Sequence, residues 1–236
     1  MIDIVAETGS TNADLAGRLR AGDSIAEGHW LVALCQTAGK GRQGRKWFDG
    51  TGNFMGSTVV GIGGEARPPA SLSFVAALAV ADAVGQALLG ASQPMLKWPN
   101  DVLLDGGKLS GILLEMVGAN VVVGIGVNLA VGPNLPDQKT AAITDYLVAP
   151  ELGWFAELLA NQFASRLGQW RGQGLGSILN DFMLGSVHSA GAPVTVHDTD
   201  GTVIAGGFAG LDETDGALRL RLADGSERVI RAGDIS

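Results

Sequence analysis

Residues Gln36–Trp47 read QTAGKGRQGRKW, and the chain leaves them as KWFDGTGNFMGSTVV. The glycines at 39, 41 and 44 have the G-x-G-x-x-G spacing of a dinucleotide-binding turn. That turn works only when a helix follows directly, because the helix N-terminus then faces the pyrophosphate. Here a loop and then a strand follow, since Phe54–Ile62 (FMGSTVVGI) is apolar and β-branched. The doubly wound dinucleotide fold is therefore excluded, and a phosphate-binding G-x-x-x-x-G-K-S/T is absent as well. What remains is a glycine-rich loop between two strands. It carries Lys40, Arg42, Arg45 and Lys46 and no acid, in a chain of formal net charge −8. Glycines let backbone N–H groups approach a ligand, and the cations suit phosphate or carboxylate oxygens.

The strand entering the loop is His29–Cys35 (HWLVALC). Further upstream, a short strand over Asp3–Glu7 leads into Thr8-Gly9-Ser10-Thr11-Asn12. Ser10 or Thr11 caps a helix that runs to about Arg20 and stops at Gly22. Downstream, Ser71–Leu89 is apolar nearly all round, the pattern of a buried helix. Asp82 and Gln86 interrupt its most apolar part, whereas a membrane span wants about 20 uninterrupted apolar residues. Then comes Lys97-Trp98-Pro99-Asn100-Asp101. Asp105-Gly106-Gly107 is hairpin chemistry, with Lys108 at the start of the second strand. Ala119–Leu129 (ANVVVGIGVNL) is another strand, with Gly124 and Gly126 where something approaches the backbone. Successive strands thus carry cations towards one region.

The rest of the chain is helix and then barrel. Apolar residues at 152, 155, 158, 159, 163, 167 and 170 make Glu151–Trp170 an amphipathic helix, and Gly176–Leu184 a second one. Near Ser189 the texture changes to short alternating strands punctuated by Asp200-Gly201, Asp215-Gly216 and Asp224-Gly225. That rhythm predicts a small SH3-like β-barrel. The expected division is 1–188 and 189–236.

Composition narrows the function. With 236 residues, 46% of them hydrophobic and 17% charged, the chain can bury a full core. A pI near 4.8 disfavours general nucleic-acid binding, since phosphates would be repelled away from the basic loop. The first strand begins at residue 3, so no helix-turn-helix is expected before the core, and no DNA partner. Cys35 is the single cysteine, and MIDIVAETGS lacks the basic and apolar regions of a secretory signal. A cytoplasmic protein without a membrane partner is expected.

Three blocks stand together: Ser10-Thr11-Asn12, the GRQGRKW loop, and KWPND with Lys108 seven residues past its aspartate. With GIGVN at 124–128 they closely resemble the biotin protein ligases. The resemblance implies an α+β fold: a mixed β-sheet with flanking helices of the kind shared with class II aminoacyl-tRNA synthetases, plus the terminal barrel. It also implies a two-step reaction. Biotin's carboxylate attacks the α-phosphate of ATP, releasing pyrophosphate. A lysine of a biotin carboxyl carrier protein then attacks biotinyl-5′-AMP and releases AMP. ATP, Mg²⁺ and biotin are the implied small molecules. The carrier of a biotin-dependent carboxylase is the implied protein partner, and a homodimer is left open.

The resemblance also assigns roles. Lys108 contacts the biotin carboxylate and then the α-phosphate, and Arg42 lies in the loop that closes over the adenylate. Biotin meets Ser10, Thr11, Asn12, Gln36, Lys40, Gly41, Arg42 and Lys108, with Gly111 and Gly124 lining the floor. Lys40 departs from the arginine found in many members. Trp47 resembles a tryptophan that stacks on adenine, and Asn128 either reaches the nucleotide or ties down a strand end. Arg45 and Lys46 attract phosphate without specific geometry or are merely solvated. Asp101 orients the acceptor lysine, helps hold Mg²⁺ or simply shapes its turn, and no metal ligand is assigned. Trp98 reads as packing. A lipoate or octanoate ligase shares the fold, but its fatty-acid-like substrate does not need the polar Ser-Thr-Asn-Gln set. A biotin-binding protein without catalysis would not need both Arg42 and Lys108.

Overall fold

The computed structural model describes residues 1–64, 67–136, 138–197 and 201–235. Its larger layer is a seven-stranded mixed sheet. The strands are β1 (Ile2–Val5), β2 (Trp30–Ala33), β3 (Phe54–Gly61), β4 (Met95–Lys97), β5 (Asp101–Leu104), β6 (Gly107–Val117) and β7 (Asn120–Val127). They are ordered β1-β2-β3-β7-β6-β5-β4, with β1 and β2 parallel and every other neighbouring pair antiparallel.

Alternation along the strands sets two faces. Val32, Val60, Val121, Val123, Ile125 and Val127 face the main core, where α2 (Leu72–Ala87), α3 (Leu152–Gln173) and α4 (Leu175–Leu184) pack. Leu31, Val59 and Val122 face the other way and meet Leu15 and Ala16 of α1 (Thr11–Arg20). The stretch Pro69–Ala87 is long and apolar enough to cross a membrane by composition alone, yet most of α2 is buried beneath the sheet and α3. Its alanines at 76, 77, 79 and 83 are fully buried and let that helix pack closely.

The expected Asp105-Gly106 hairpin forms, with φ of 44° and 76° at those two residues, the left-handed values such a turn requires. It connects β5 to β6. KWPND holds more regular structure than its sequence suggests. Lys97 ends β4, Asp101 opens β5, and the two pair across a tight hairpin.

The terminal part is a five-stranded antiparallel sheet of SH3-like kind. Its strands are β8 (Pro193–His197), β9 (Val203–Leu211), β10 (Leu218–Arg221), β11 (Glu227–Ile230) and β12 (Asp234–Ile235), ordered β11-β10-β9-β8-β12. The Asp215-Gly216 and Asp224-Gly225 turns fall between strands as expected, while Asp200 lies outside the described residues. Val194, Phe208 and Leu218 join the same apolar cluster as the large sheet's helices. Trp98 Nε1 donates to Gly216 O at 3.0 Å, so this buried indole both packs and ties the two sheets together.

Candidate active site

The α1 face of the large sheet is covered by helix at only one end. Beyond the N-terminus of α1 the sheet is roofed by the basic loop, and a cavity of about 1080 Å³, its mouth included, lies between them. Ser10, Thr11, Asn12, Gln36, Lys40, Gly41, Arg42, Arg45, Trp47, Asp101, Lys108, Gly111, Gly124 and Asn128, all anticipated from sequence, line it.

One end of the cavity is polar and uncharged. Ser10 is the N-cap of α1, its hydroxyl accepting from Ala13 N–H at 3.4 Å. Thr11 then points into the sheet. Its backbone N–H donates to Gln36 Oε1 at 2.8 Å, and its hydroxyl lies 2.8 Å from that of Ser57. Asn12 Nδ2 donates to Glu115 at 3.1 Å, which fixes the orientation of the amide because a carboxylate only accepts. Asn12 Oδ1 is thereby turned towards the sheet at Gly124, where a Cβ would come within 2.8 Å of it. That oxygen is buried and has no hydrogen-bond partner. A buried acceptor left unmade costs about 1–3 kcal/mol, so this one is a ready socket for a ligand N–H.

The other end is charged. Lys108 Nζ lies 2.7 Å from Asp101 Oδ1, with side chains 22% and 16% exposed. A β-bulge aims this lysine: Ser110 pairs with Val102 but Lys108 with Leu103, so Leu109 is an extra residue in β6. Leu109 and Ile112 remain in the core while Lys108 turns into the cavity. Behind it, Lys108 N–H donates to Lys139 O and Lys108 O accepts from Ala141 N–H, clamping the lysine's backbone on both sides.

The basic loop is folded back on itself. Trp47 N–H donates to Gly39 O at 3.0 Å and Gly41 N–H to Arg45 O at 2.7 Å, and Lys40 bridges Lys46 in antiparallel fashion. Gly41's N–H is therefore engaged inside the loop, and Lys40 is exposed. Arg42 donates to Asn100 Oδ1 at 3.0 Å and to Gly233 O at 3.1 Å. Arg45 pairs with Asp234 at 2.7 Å, drawing the loop onto β12 of the terminal sheet. Trp47 reaches inward, its ring over Gly111 and Gly126.

Asn128 behaves as a strand-end pin. It is buried, and its Nδ2 donates to Ala141 O at 3.1 Å. Among the described residues no group of three or more His, Cys, Asp or Glu stands together as a metal cluster.

Sequence reasoning missed four residues that complete the site: Ser57, Asn100, Glu115 and Asp234. A serine within FMGSTVV was a readable sign, since a hydroxyl in a central apolar strand needs a partner. Asp234, 189 residues from Arg45, left no such sign.

Comparison with known proteins accords with this geometry. Residues 11–131 match the Biotin/lipoate A/B protein ligase family, and residues 190–236 match the Biotin protein ligase C terminal domain. The chain is 39% identical to a biotin--[acetyl-CoA-carboxylase] ligase of Paracoccus denitrificans, over 98% of each chain. It is 36% identical to the same-named ligase of Mycobacterium tuberculosis, over 99% of this chain and 88% of that one. The fold superposes on the biotin protein ligase of Aquifex aeolicus, solved with biotin and ATP, with a TM-score of 0.84. That match covers 100% of this chain and 97% of the other, at 23% identity.

Proposed function

The chain belongs to the biotin protein ligases, and from that premise we propose that it joins biotin to a lysine of a biotin carboxyl carrier protein at the expense of ATP. One observation carries the reading. A single cavity holds an uncharged polar compartment with an unpartnered acceptor, Asn12 Oδ1, and, apart from it, the cations Lys108 and Arg42. Biotin has matching ends: a ureido ring with N–H donors and a carboxylate.

Thr11, Asn12, Gln36 and Ser57 hold the ureido ring, each of its polar atoms paired, and the carboxylate reaches Lys108. The ammonium then shares its charge among Asp101, the carboxylate and the α-phosphate of ATP. Neutralising two anions that would repel is the main catalytic contribution. A carboxylate oxygen bonds to the α-phosphorus as the bond to the bridging oxygen breaks, and pyrophosphate leaves with that electron pair. Arg42 stays over the mixed anhydride with the loop, excluding water that would hydrolyse it. In the second step the carrier's lysine amine attacks the acyl carbon, AMP departs with the C–O electrons, and the amine loses a proton. Asp101, released from Lys108 as phosphate competes for the ammonium, is the carboxylate positioned to orient that amine.

Mg²⁺, when bound with ATP, would supply further charge neutralisation on the phosphates. With phosphate oxygens as ligands, Mg²⁺ needs only one or two carboxylates. Both described acids lining the cavity already pair with a cation, Asp101 with Lys108 and Asp234 with Arg45; Asp101 would serve here, because it stands beside the lysine that meets the α-phosphate. Residues 1–188 form the catalytic unit and 189–236 the barrel that braces its loop. The single cysteine and the acidic surface suit a cytoplasmic setting.

The test is transfer. Incubation with biotin, Mg²⁺ and ATP should add one biotin to an apo carrier domain and none to a carrier whose acceptor lysine is replaced by arginine. Absence of transfer to the intact carrier, with the enzyme folded, would count against the proposal.

A further inference from the structure

Gly111 and Gly126 face each other in register on β6 and β7, two interior strands of the seven-stranded sheet. Glycine weakens a strand, so a facing pair in a sheet's centre calls for a cause. Neither has a positive φ, so the backbone does not require glycine at either position. Space does. A Cβ on Gly126 would lie 2.3 Å from Trp47 Cε2, 2.4 Å from Cζ2 and 2.5 Å from Nε1. A Cβ on Gly111 would lie 2.6 Å from Trp47 Cζ3. At both positions the three nearest atoms all belong to that one indole, whose six-membered ring lies across the pair.

The seat lies midway along the cavity. Along β7, Gly124 floors the polar compartment at Asn12 and Ser57, Gly126 carries the indole, and Asn128 leads to the segment clamping Lys108. The indole also ends the loop hairpin that holds Arg42, closed by the Trp47 N–H to Gly39 O bond.

We infer that Gly126 and Gly111 are positioning residues: a seat for Trp47 that fixes the closed form of the basic loop. They act through Trp47. The inference rests on the ligase reading only for its kinetic arm.

Gly126→Ala, Trp47→Phe and the double variant test it. Overpacking the seat should raise the KM for ATP in biotin-dependent pyrophosphate exchange by on the order of tenfold, while biotin affinity changes by less than about threefold. Trp47→Phe, having the smaller ring, should recover part of that loss in the double variant. Strictly multiplicative effects, or a parallel loss of biotin affinity, would overturn the seat.

A readout free of turnover is the Nε1–H resonance of Trp47, assigned by its absence in Trp47→Phe. Gly126→Ala should shift it and speed its solvent exchange, leaving the other four indoles in place. An unmoved Trp47 resonance overturns the inference even if activity falls. If Gly126→Ala does not fold, Gly111→Ala meets the ring from its other side and serves the same test. A wild-type protein with no exchange on any acid would instead contradict the ligase reading, and the resonance would still decide the seat.

Discussion

Among single residues, Lys108 and Asn12 mark the two ends of the site. Lys108 already has a counter-ion in Asp101, so phosphate and carboxylate must compete for an ammonium that is held rather than mobile. Lys108→Ala removes the charge placed to follow both anions through the first step. We expect biotin-dependent pyrophosphate exchange to fall by about 10²–10³-fold, the range for loss of a preorganised charge-stabilising donor. Circular dichroism should be unchanged, because the group is partly exposed. Asn12→Ala removes the unpartnered Oδ1 and should weaken biotin about tenfold in calorimetry, leaving the KM for ATP nearly constant. A variant that weakens ATP instead would place the polar compartment at the wrong end of the cavity.

At the scale of elements, the basic loop and the terminal sheet act on each other. Arg45–Asp234 is an exposed pair, and such pairs contribute only about 0.2–1 kcal/mol. Asp234 also lies 3.5 Å from Arg42, so Asp234→Asn loses two such pairs and should speed hydrogen exchange across Gly39–Lys46 by no more than about thirtyfold. Biotin with ATP should slow exchange there in the wild type, since the loop is rich in glycine and charge and poor in apolar anchors. Unchanged protection on adding both ligands would contradict a closing loop.

The junction between the sheets carries a pH signature. His188 stacks on Phe208 with ring centroids 5.4 Å apart, and its Nε2 is buried without a partner. Burial, helped by the nearby charge of Lys97, lowers its pKa below the usual histidine value. In the unfolded chain the imidazole takes up a proton as pH falls through about 6.5, while the folded chain resists. Its contribution to stability is thus complete above about 6.5 and is lost as pH drops through the lowered folded value. His188→Gln should flatten the fall in thermal midpoint between about pH 7.5 and 5.5.

At the scale of the whole molecule, what the sequence revealed followed from local rules. The periods of α2, α3 and β7, the Asp105-Gly106 turn and the aspartate-glycine rhythm of the barrel are all short-range signals. The motif blocks converge because β3, β7 and β6 lie side by side beneath the N-terminus of α1, which brings residues 11, 57, 111 and 124 to one face. Gly126 was readable as a place of close approach, but nothing local identified Trp47 as the group that approaches. The brace from Asp234 and the Asn100 contact to Arg42 were illegible for the same reason: they join segments far apart in sequence. Short β4 ends on the first residue of a motif whose proline and asparagine read as turn.

Adenylation of biotin is read out by ATP–pyrophosphate exchange with Mg²⁺, with biotin, lipoate and octanoate supplied in separate reactions. Exchange is expected with biotin and background rates with the other two, because only biotin has N–H donors for Asn12 Oδ1. Exchange that depends on lipoate or octanoate instead, or none with any acid while biotin still binds, would contradict adenylation of biotin.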